Sequence, residues 1–203
     1  MIKLYGNPFS TCTRKVIATL VESNLPYELD VVDFAKGQHK SPEHMARQPF
    51  GQVPAIDDDG FSLYESRAIA RYVDAKGGGK LTPADPKQRA KMEQWLSVET
   101  ENFKPHAMKY VYAEVFHRPQ TPEVMEHAKQ GLETALAVLE QDLTDKPFLV
   151  GDQLTIADYS FAPYIEYAMN TSAKEIFAKY PHVMAWWGRV SERPAWKKAA
   201  GRA

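Results

Sequence analysis

The stretch NPFSTCTRKV, residues 7–16, follows a short apolar run at residues 2–5 that has the length and composition of a β-strand. The apolar residues after it recur at the spacing of one helical face: Val16, Ile17, Leu20 and Val21. Hydroxyl and thiol groups therefore lie where a strand ends and a helix begins. Backbone N–H groups at a helix N-terminus have no partner inside the helix, and the helix dipole attracts an anion. The stretch predicts an α/β unit in which Ser10 either caps the helix or donates a hydrogen bond to a bound anion such as a thiolate.

Composition and charge narrow the class of protein. The chain has 203 residues, of which 44% are hydrophobic, so it can bury a substantial core. Its net charge of -1 argues against nucleic acid or an acidic membrane as the main partner. No run approaches the roughly 18 apolar residues of a membrane span, and the first residues lack the pattern of a signal peptide. The single cysteine, Cys12, is typical of a reducing compartment, so we expect a cytoplasmic protein.

Local patterns divide the chain into two predicted domains. Residues 1–76 mix strand and helix patterns, and residues 87–203 are helical in pattern throughout. Residues 77–86, rich in glycine and proline, are typical of a linker. The first domain has strand patterns at residues 2–5, 27–32, 55–56 and 61–64, with helices after residue 10 and over residues 66–75. The predicted fold class is α/β followed by all-α.

Long helical patterns fill the second domain, over residues 87–116 and 122–143. A third helical pattern, over residues 154–168, begins with Thr155 and Asp158 at the spacing of a capping box. The carboxylate would also complement the positive end of the helix dipole. We therefore interpret Thr155 and Asp158 as structural residues.

Further segments of the first domain suit a small zwitterionic peptide that carries a thiol. Pro54 precedes a strand, where a proline often marks a turn with a cis peptide bond, and Val53 would offer its backbone N–H and C=O to an extended ligand. Glu65 and Ser66 stand at a second helix N-terminus, which suits a carboxylate, and Glu65 could pair with an ammonium group. Residues 36–40 add cationic side chains, although ordinary solvated loop charges also explain them.

The segments NPFSTCTRKV, GQHKSPEHMARQPFGQVPAI and LYESRAIARYV together resemble the cytosolic glutathione transferases, most closely the serine-type phi class. The resemblance covers the whole chain. It implies a thioredoxin-like N-terminal domain followed by an all-helical C-terminal domain. It also implies that glutathione, as its thiolate, attacks small hydrophobic electrophiles in a detoxification reaction.

The resemblance implies a role for each matching residue. Ser10 would hydrogen-bond to the glutathione sulfur and favour its thiolate. The other contacts with glutathione would be made by His39 and Lys40 at the glycine end, by Gln52, Val53 and a cis Pro54 at the cysteinyl backbone, and by Glu65 and Ser66 at the γ-glutamyl group. Glutathione would be a co-substrate, and the chemistry would need no metal.

The electrophile would bind in a variable apolar pocket. The candidate lining residues are Phe9, Phe34, Met108, Tyr112, Phe116 and Tyr164. These side chains are equally consistent with ordinary core packing. The resemblance also implies a homodimer, in which the first domain of one chain contacts the second domain of the other.

Some alternatives stay open at this point. Tyr5 lies near the place where tyrosine-type members carry their activating phenol, and Thr11 could substitute locally for Ser10. The same thiolate could reduce peroxides, or glutathione could serve as the cofactor of an isomerase or dehalogenase. A non-catalytic ligand-binding or interaction protein is less favoured, because a scaffold needs none of the glutathione contacts. Gln48 stands where the family commonly has asparagine, and we expect little effect.

Overall fold

A computed structural model describes residues 1–202 and divides the chain into two compact units. The first unit holds residues 1–82 together with the residues from Arg193 onward, and the second spans Pro83–Glu192. No helix in residues 1–202 has both the length and the apolar content needed to cross a bilayer.

The first unit is built on a mixed sheet of four strands in the order β2-β1-β3-β4. β1 runs parallel to β2 and antiparallel to β3, which in turn is antiparallel to β4. This arrangement confirms the predicted thioredoxin-like unit. The strands are β1 (Ile2–Gly6), β2 (Tyr27–Val31), β3 (Ala55–Asp58) and β4 (Phe61–Tyr64), and the helices among them are α1 (Thr11–Glu22), α2 (Pro42–Arg47) and α3 (Ser66–Lys76).

One face of β1 packs against α1. Ile2 and Leu4 are buried on this face, while Lys3 between them is exposed, as the alternation of a strand requires. Gly6 lies on the same face, and a Cβ atom added there would come within 2.6 Å of Cγ2 of Thr13 in α1. The glycine therefore lets the start of α1 approach the end of β1 closely.

The C-terminal segment belongs to the first unit, which differs from the predicted domain of residues 87–203. Helix α10 (Pro194–Ala199) packs on α1 and buries Trp196 completely. Arg193, the residue just before α10, pairs through its guanidinium with the Glu22 carboxylate of α1, with 3.2 Å between Nε and Oε2. A helical pattern shows which residues seek a core but not which core they join, so the sequence could not place this helix.

The second unit is entirely helical in its regular structure, as predicted. The predicted helix over residues 87–116 consists of two α-helices, α4 (Pro86–Val98) and α5 (Lys104–Tyr110). A π-helical turn at Glu99–Phe103 joins them, and a second at Val111–Val115 follows α5. A π turn adds a residue to the helical repeat, so a search for 3.6-residue spacing alone does not find it. The helices of this unit are α4 (Pro86–Val98), α5 (Lys104–Tyr110), α6 (Pro122–Asp142), α7 (Ile156–Ala168), α8 (Lys174–Phe177) and α9 (Pro181–Ser191).

The predicted capping box at the start of α7 is present, and its acidic residue, Asp158, accepts several hydrogen bonds inside the helical core. Asp158 is completely buried. Its Oδ2 accepts hydrogen bonds from the Thr155 N–H at 2.8 Å and the Thr155 hydroxyl at 2.9 Å. Its Oδ1 accepts from the Leu149 N–H at 3.1 Å and from Nε1 of Trp186 at 2.9 Å. One carboxylate thus fixes a helix N-terminus, the preceding loop and α9.

A second buried acid joins the sheet to α3. Oδ2 of Asp58 accepts hydrogen bonds from the Tyr72 hydroxyl at 2.6 Å and from the Lys76 ammonium at 2.5 Å. The hydrogen bond from Lys76, followed by that from Tyr72, lowers the pKa of Asp58 below its ordinary value of 3.8. The contribution of this contact to stability is complete above the pKa of the unfolded chain and is lost as the pH falls through the folded pKa.

Asp58→Asn should therefore reduce the loss of stability that acidification causes. At about pH 7 we expect the variant to be about 1–3 kcal/mol less stable than wild type, because Tyr72 and Lys76 lose a charged acceptor. At about pH 3 the gap should narrow, and urea unfolding at both pH values measures it. Asp59→Asn is the matched control, because the Asp59 side chain is 83% exposed. The same pH dependence in wild type and Asp58→Asn would contradict this account.

Candidate active site

Ser10 is the N-cap of α1 and also has a hydroxyl proton to give. Its backbone is extended, and its Oγ accepts a hydrogen bond from the Thr13 N–H at 3.3 Å. Within residues 1–202 no acceptor takes the proton of this half-buried hydroxyl. Capping uses a lone pair of the oxygen and not its proton, so the two interpretations of Ser10 are compatible. The hydroxyl can cap α1 and donate to a bound anion at the same time.

The turn that presents Ser10 is held by side chains that the sequence did not single out for this purpose. Asn7 accepts a hydrogen bond from the Phe9 N–H at 3.0 Å through Oδ1, and its own N–H donates to Oγ1 of Thr13 at 3.3 Å. Nε of Arg14 donates to the Pro8 carbonyl at 2.8 Å. The turn is therefore fixed from both sides before any ligand arrives.

Tyr5 points to the other side of the sheet. Because successive side chains of a strand alternate, Tyr5 lies on the face opposite Leu4 and Gly6, whereas α1 packs on their face. The guanidinium carbon of Arg47 in α2 lies 4.1 Å from the centre of the Tyr5 ring. This position separates the phenol from the α1 N-terminus and favours Ser10 over Tyr5. Thr11 remains beside Ser10 in the first turn, half-buried.

The segment before β3 presents a free stretch of backbone. The Val53–Pro54 peptide bond is cis. In residues 1–202 neither the N–H nor the C=O of Val53 has a hydrogen-bond partner. The neighbouring loop is shaped by Gln48, whose buried Oε1 accepts from the Phe50 N–H at 2.7 Å and the Gln52 N–H at 3.2 Å. Nothing in the sequence pattern indicates this scaffolding role for Gln48.

The start of α3 combines a strained residue with a helix N-terminus. Glu65 is exposed and has φ 72° and ψ 110°, outside the regions that residues other than glycine prefer. Ser66 follows as the first residue of α3 and is 4% exposed. The first N–H groups of a helix lack partners within it, so this N-terminus suits an anion.

His39 and Lys40 approach the same loop that Gln48 shapes. The Lys40 ammonium donates to the Phe50 carbonyl at 3.0 Å. Gly51 has φ 62°, and a Cβ atom there would lie 2.6 Å from Nζ of Lys40 and 2.8 Å from the His39 carbonyl oxygen. The contact with a bare glycine holds the two basic residues beside Gln52.

The sheet register brings these segments to one end of the sheet. Tyr5 pairs with Ala55, and Ala55 pairs with Tyr64 across the next ladder. The end of β1, the start of β3 and the end of β4 are therefore side by side. The turn after β1, the cis bond before β3 and the residue after β4 all lie at this end of the sheet. The first unit thus brings Ser10, Val53 and Glu65 together, which are 55 residues apart in the chain at most.

The six predicted electrophile-pocket residues differ in what they can offer a ligand. Phe9 is 69% exposed and Phe34 is 45% exposed in the first unit, and Phe116 is 42% exposed in the second. Tyr112 is half-buried and lies 6.1 Å from Phe116 between ring centres, and Met108 is 8% exposed. Tyr164 is 1% exposed on α7.

One correction and one addition to the predicted pocket follow from these positions. Tyr164 is a core residue of the helical unit, because at 1% exposure it has almost no surface for a ligand. Its position in the sequence could not show this, since α7 is buried on nearly every side. Tyr167, which was not among the candidates, places its ring centre 6.0 Å from that of Phe116 and continues the aromatic surface.

Comparison with known proteins gives the family. The family description "Glutathione S-transferase, N-terminal domain" matches residues 1–75, and "Glutathione S-transferase, C-terminal domain" matches residues 103–194. A glutathione S-transferase of Hyoscyamus muticus is 39% identical over 206 residues, covering 98% of this chain and 97% of that protein.

Solved structures agree with this. Glutathione transferase F2 from Populus trichocarpa has a TM-score of 0.93 at 37% identity, covering 100% of this chain and 99% of that one. Glutathione S-transferase I from mais (maize), solved with an atrazine glutathione conjugate, has a TM-score of 0.90 at 32% identity, covering 99% and 97%. The chain belongs to the glutathione S-transferase family and is a transferase of that kind, and its relatives are phi-class enzymes of plants.

Proposed function

We propose that Ser10 donates a hydrogen bond to the sulfur of glutathione and, with the N-terminus of α1, holds it as the thiolate that attacks a small hydrophobic electrophile. The observation that carries the proposal is the uncommitted proton of a hydroxyl fixed at a helix N-terminus. A free thiol with a pKa of ~8.5 is only a few per cent thiolate at neutral pH, and the thiolate is the nucleophile. Each unit of pKa lowering corresponds to ~1.4 kcal/mol, within reach of one or two hydrogen bonds to an anion.

Glutathione would lie along the end of the sheet described above. The free N–H and C=O of Val53 would pair with the cysteinyl backbone, as an added strand does, with Gln52 and Pro54 on either side. Glu65 would pair with the ammonium of the γ-glutamyl group. The carboxylate of the γ-glutamyl group would bind to Ser66 and the first N–H groups of α3. His39 and Lys40 would contact the glycine carboxylate.

The electrophile would bind against exposed apolar side chains. Phe9, Phe34 and Phe116 offer exposed aromatic surface. Tyr112 is half-buried, and Met108, at 8% exposure, offers only a small apolar surface. In the reaction a new S–C bond forms, and the leaving group departs with the electron pair of the broken bond. The mais enzyme, solved with an atrazine glutathione conjugate, supports a thioether product. We also infer that the chain works as a cytoplasmic homodimer, on the strength of its family.

Steady-state kinetics over a panel of electrophiles would test the proposed function. We expect glutathione-dependent release of chloride from a chlorodinitrobenzene, saturable in both substrates, with smaller rates for an organic hydroperoxide. Tight glutathione binding with no turnover of any electrophile would support the non-catalytic alternative. Turnover of the hydroperoxide alone would make reduction, and not conjugation, the principal reaction.

Glu65→Gly separates the strain at this residue from its proposed contact with glutathione. Glycine adopts φ 72° without a Cβ penalty, so we expect the free energy of unfolding to rise by about 1 kcal/mol. The variant lacks the carboxylate, so the dissociation constant of glutathione should rise at least tenfold. Urea unfolding and calorimetric titration measure the two effects.

The matched control for this prediction is Asp59→Gly, which removes an exposed acid at φ 53° in the β3–β4 turn. It should leave the affinity for glutathione unchanged. A Glu65→Gly variant that binds glutathione as wild type does would remove Glu65 from the proposed site.

A further inference from the structure

The helical unit contains a cavity of about 430 Å³ between α5 and α6. None of the residues assigned above to glutathione or to the electrophile lines it. Four polar side chains face it: His106 and Lys109 from α5, and Glu123 and His127 from α6. Two histidines from facing helices in one cavity are unusual among the six of this chain.

The two imidazoles are held close together by a glycine. Their ring centres are 5.4 Å apart, with 63° between the ring planes. A Cβ atom added to Gly131 in α6 would come within 2.2 Å of Cε1 of His106. The His106 ring therefore rests on the bare backbone of α6, one turn after His127, because Gly131 leaves room for it. In residues 1–202 neither the His106 nor the His127 imidazole has a hydrogen-bond partner.

We propose that His106 and His127 bind one divalent transition-metal ion, with Zn²⁺ as its simplest representative. A zinc ion lies about 2.0–2.1 Å from each imidazole nitrogen, so two imidazoles on one tetrahedral ion have ring centres about 5 Å apart. The observed separation of 5.4 Å between the ring centres is close to this value. Imidazole nitrogen is a preferred ligand of zinc, copper and nickel.

The remaining ligands would be water molecules. In residues 1–202 no group of three or more His, Cys, Asp or Glu side chains is arranged to hold a metal, so this site has two protein ligands. His106 is half-buried and His127 is exposed, and the cavity beside them has room for water. Glu123, one turn before His127, would add a favourable charge, while Lys109 would oppose it. These features predict modest affinity and a cross-link between α5 and α6.

Calorimetric titration of the untagged, glutathione-free protein with ZnCl₂ tests the proposal. We expect one Zn²⁺ per chain with a dissociation constant in the micromolar range, and tighter binding of Cu²⁺. His127→Ala and His106→Ala should each weaken zinc binding at least tenfold, and the double variant should be little worse than either. His182→Ala and Cys12→Ser, which remove a histidine and the one thiol elsewhere, should bind zinc as wild type does.

Gly131→Ala provides a test that keeps both histidines. The new methyl group must displace the His106 ring, so zinc binding should weaken while the helix itself, now with alanine, keeps its stability. The melting temperature of wild type should also rise with zinc, and that of His127→Ala should not. The proposal is overturned if wild type takes up no zinc, or if the two single histidine variants bind it as wild type does.

Discussion

Asp158→Ala should lower the free energy of unfolding by about 3–5 kcal/mol, because it removes the shared acceptor of a buried hydrogen-bond network. The carboxylate is completely buried and accepts four hydrogen bonds, from Thr155 twice, Leu149 and Trp186. Alanine would leave all four donors without an acceptor inside the core. Urea unfolding followed by tryptophan fluorescence measures the change.

Smaller substitutions keep this prediction testable if the alanine variant does not fold. Asp158→Asn retains one acceptor oxygen but turns an NH₂ group toward donors, so its loss should also be large. Thr155→Val removes a single hydroxyl donor and should cost about 1 kcal/mol. Asp152→Ala, at an exposed acid in the preceding turn, is the matched control and should stay within about 0.5 kcal/mol. A loss below 1 kcal/mol for Asp158→Asn would show that the network does not stabilise this unit.

Ser10→Ala should lower kcat/KM for conjugation about 100-fold near neutral pH, the usual effect of removing one donor from a developing or bound anion. The substitution removes the hydrogen bond to the thiolate, so the pKa of bound glutathione rises and the reactive fraction falls. The loss should therefore shrink as the pH is raised toward the new pKa. KM for glutathione should change little, because the peptide contacts at Val53 and Glu65 remain.

The controls for Ser10→Ala separate chemistry from capping. Loss of the N-cap alone should cost about 1 kcal/mol of stability, which unfolding measurements on the same sample record. Ser10→Thr keeps a hydroxyl and a cap and should retain most of the activity. Thr11→Ala and Tyr5→Phe should be close to wild type. A Ser10→Ala variant within threefold of wild type at neutral pH would assign Ser10 to capping alone.

Local chemistry made much of the site predictable. The turn after β1 and the capping box at Thr155 each depend on residues a few positions apart, so the sequence contains their signal. The definite prediction of a cis bond before Pro54 came from the family resemblance. Strand β4 has the predicted bounds, residues 61–64, because a turn fixes its start and a helix follows its end. β2 ends at Val31, one residue earlier than predicted, although the Val32 N–H still donates to the Gly6 carbonyl at 2.9 Å.

What the sequence could not predict depends on distant contacts. The place of α10 on α1, the burial of Tyr164 and the support of the Gln52 loop by Gln48 all require knowing which surfaces meet. The positive φ of Glu65 could not be predicted either, because glutamate rarely adopts this conformation and its presence in the sequence does not indicate it. The alternation of β1 separates Tyr5 from the start of α1 only when the position of α1 is known, so the sequence alone left both Tyr5 and Ser10 as candidates.

The most direct test of the account is the ultraviolet difference absorbance of protein-bound glutathione, titrated with pH, in wild type, Ser10→Ala and Tyr5→Phe. We predict a thiolate band near neutral pH in wild type and in Tyr5→Phe, and a band shifted to higher pH in Ser10→Ala. The band should appear below the pKa of free glutathione, ~8.5 for an ordinary thiol. If Tyr5→Phe loses the band and Ser10→Ala keeps it, the hydroxyl at the α1 N-terminus does not activate the sulfur and the central claim is wrong.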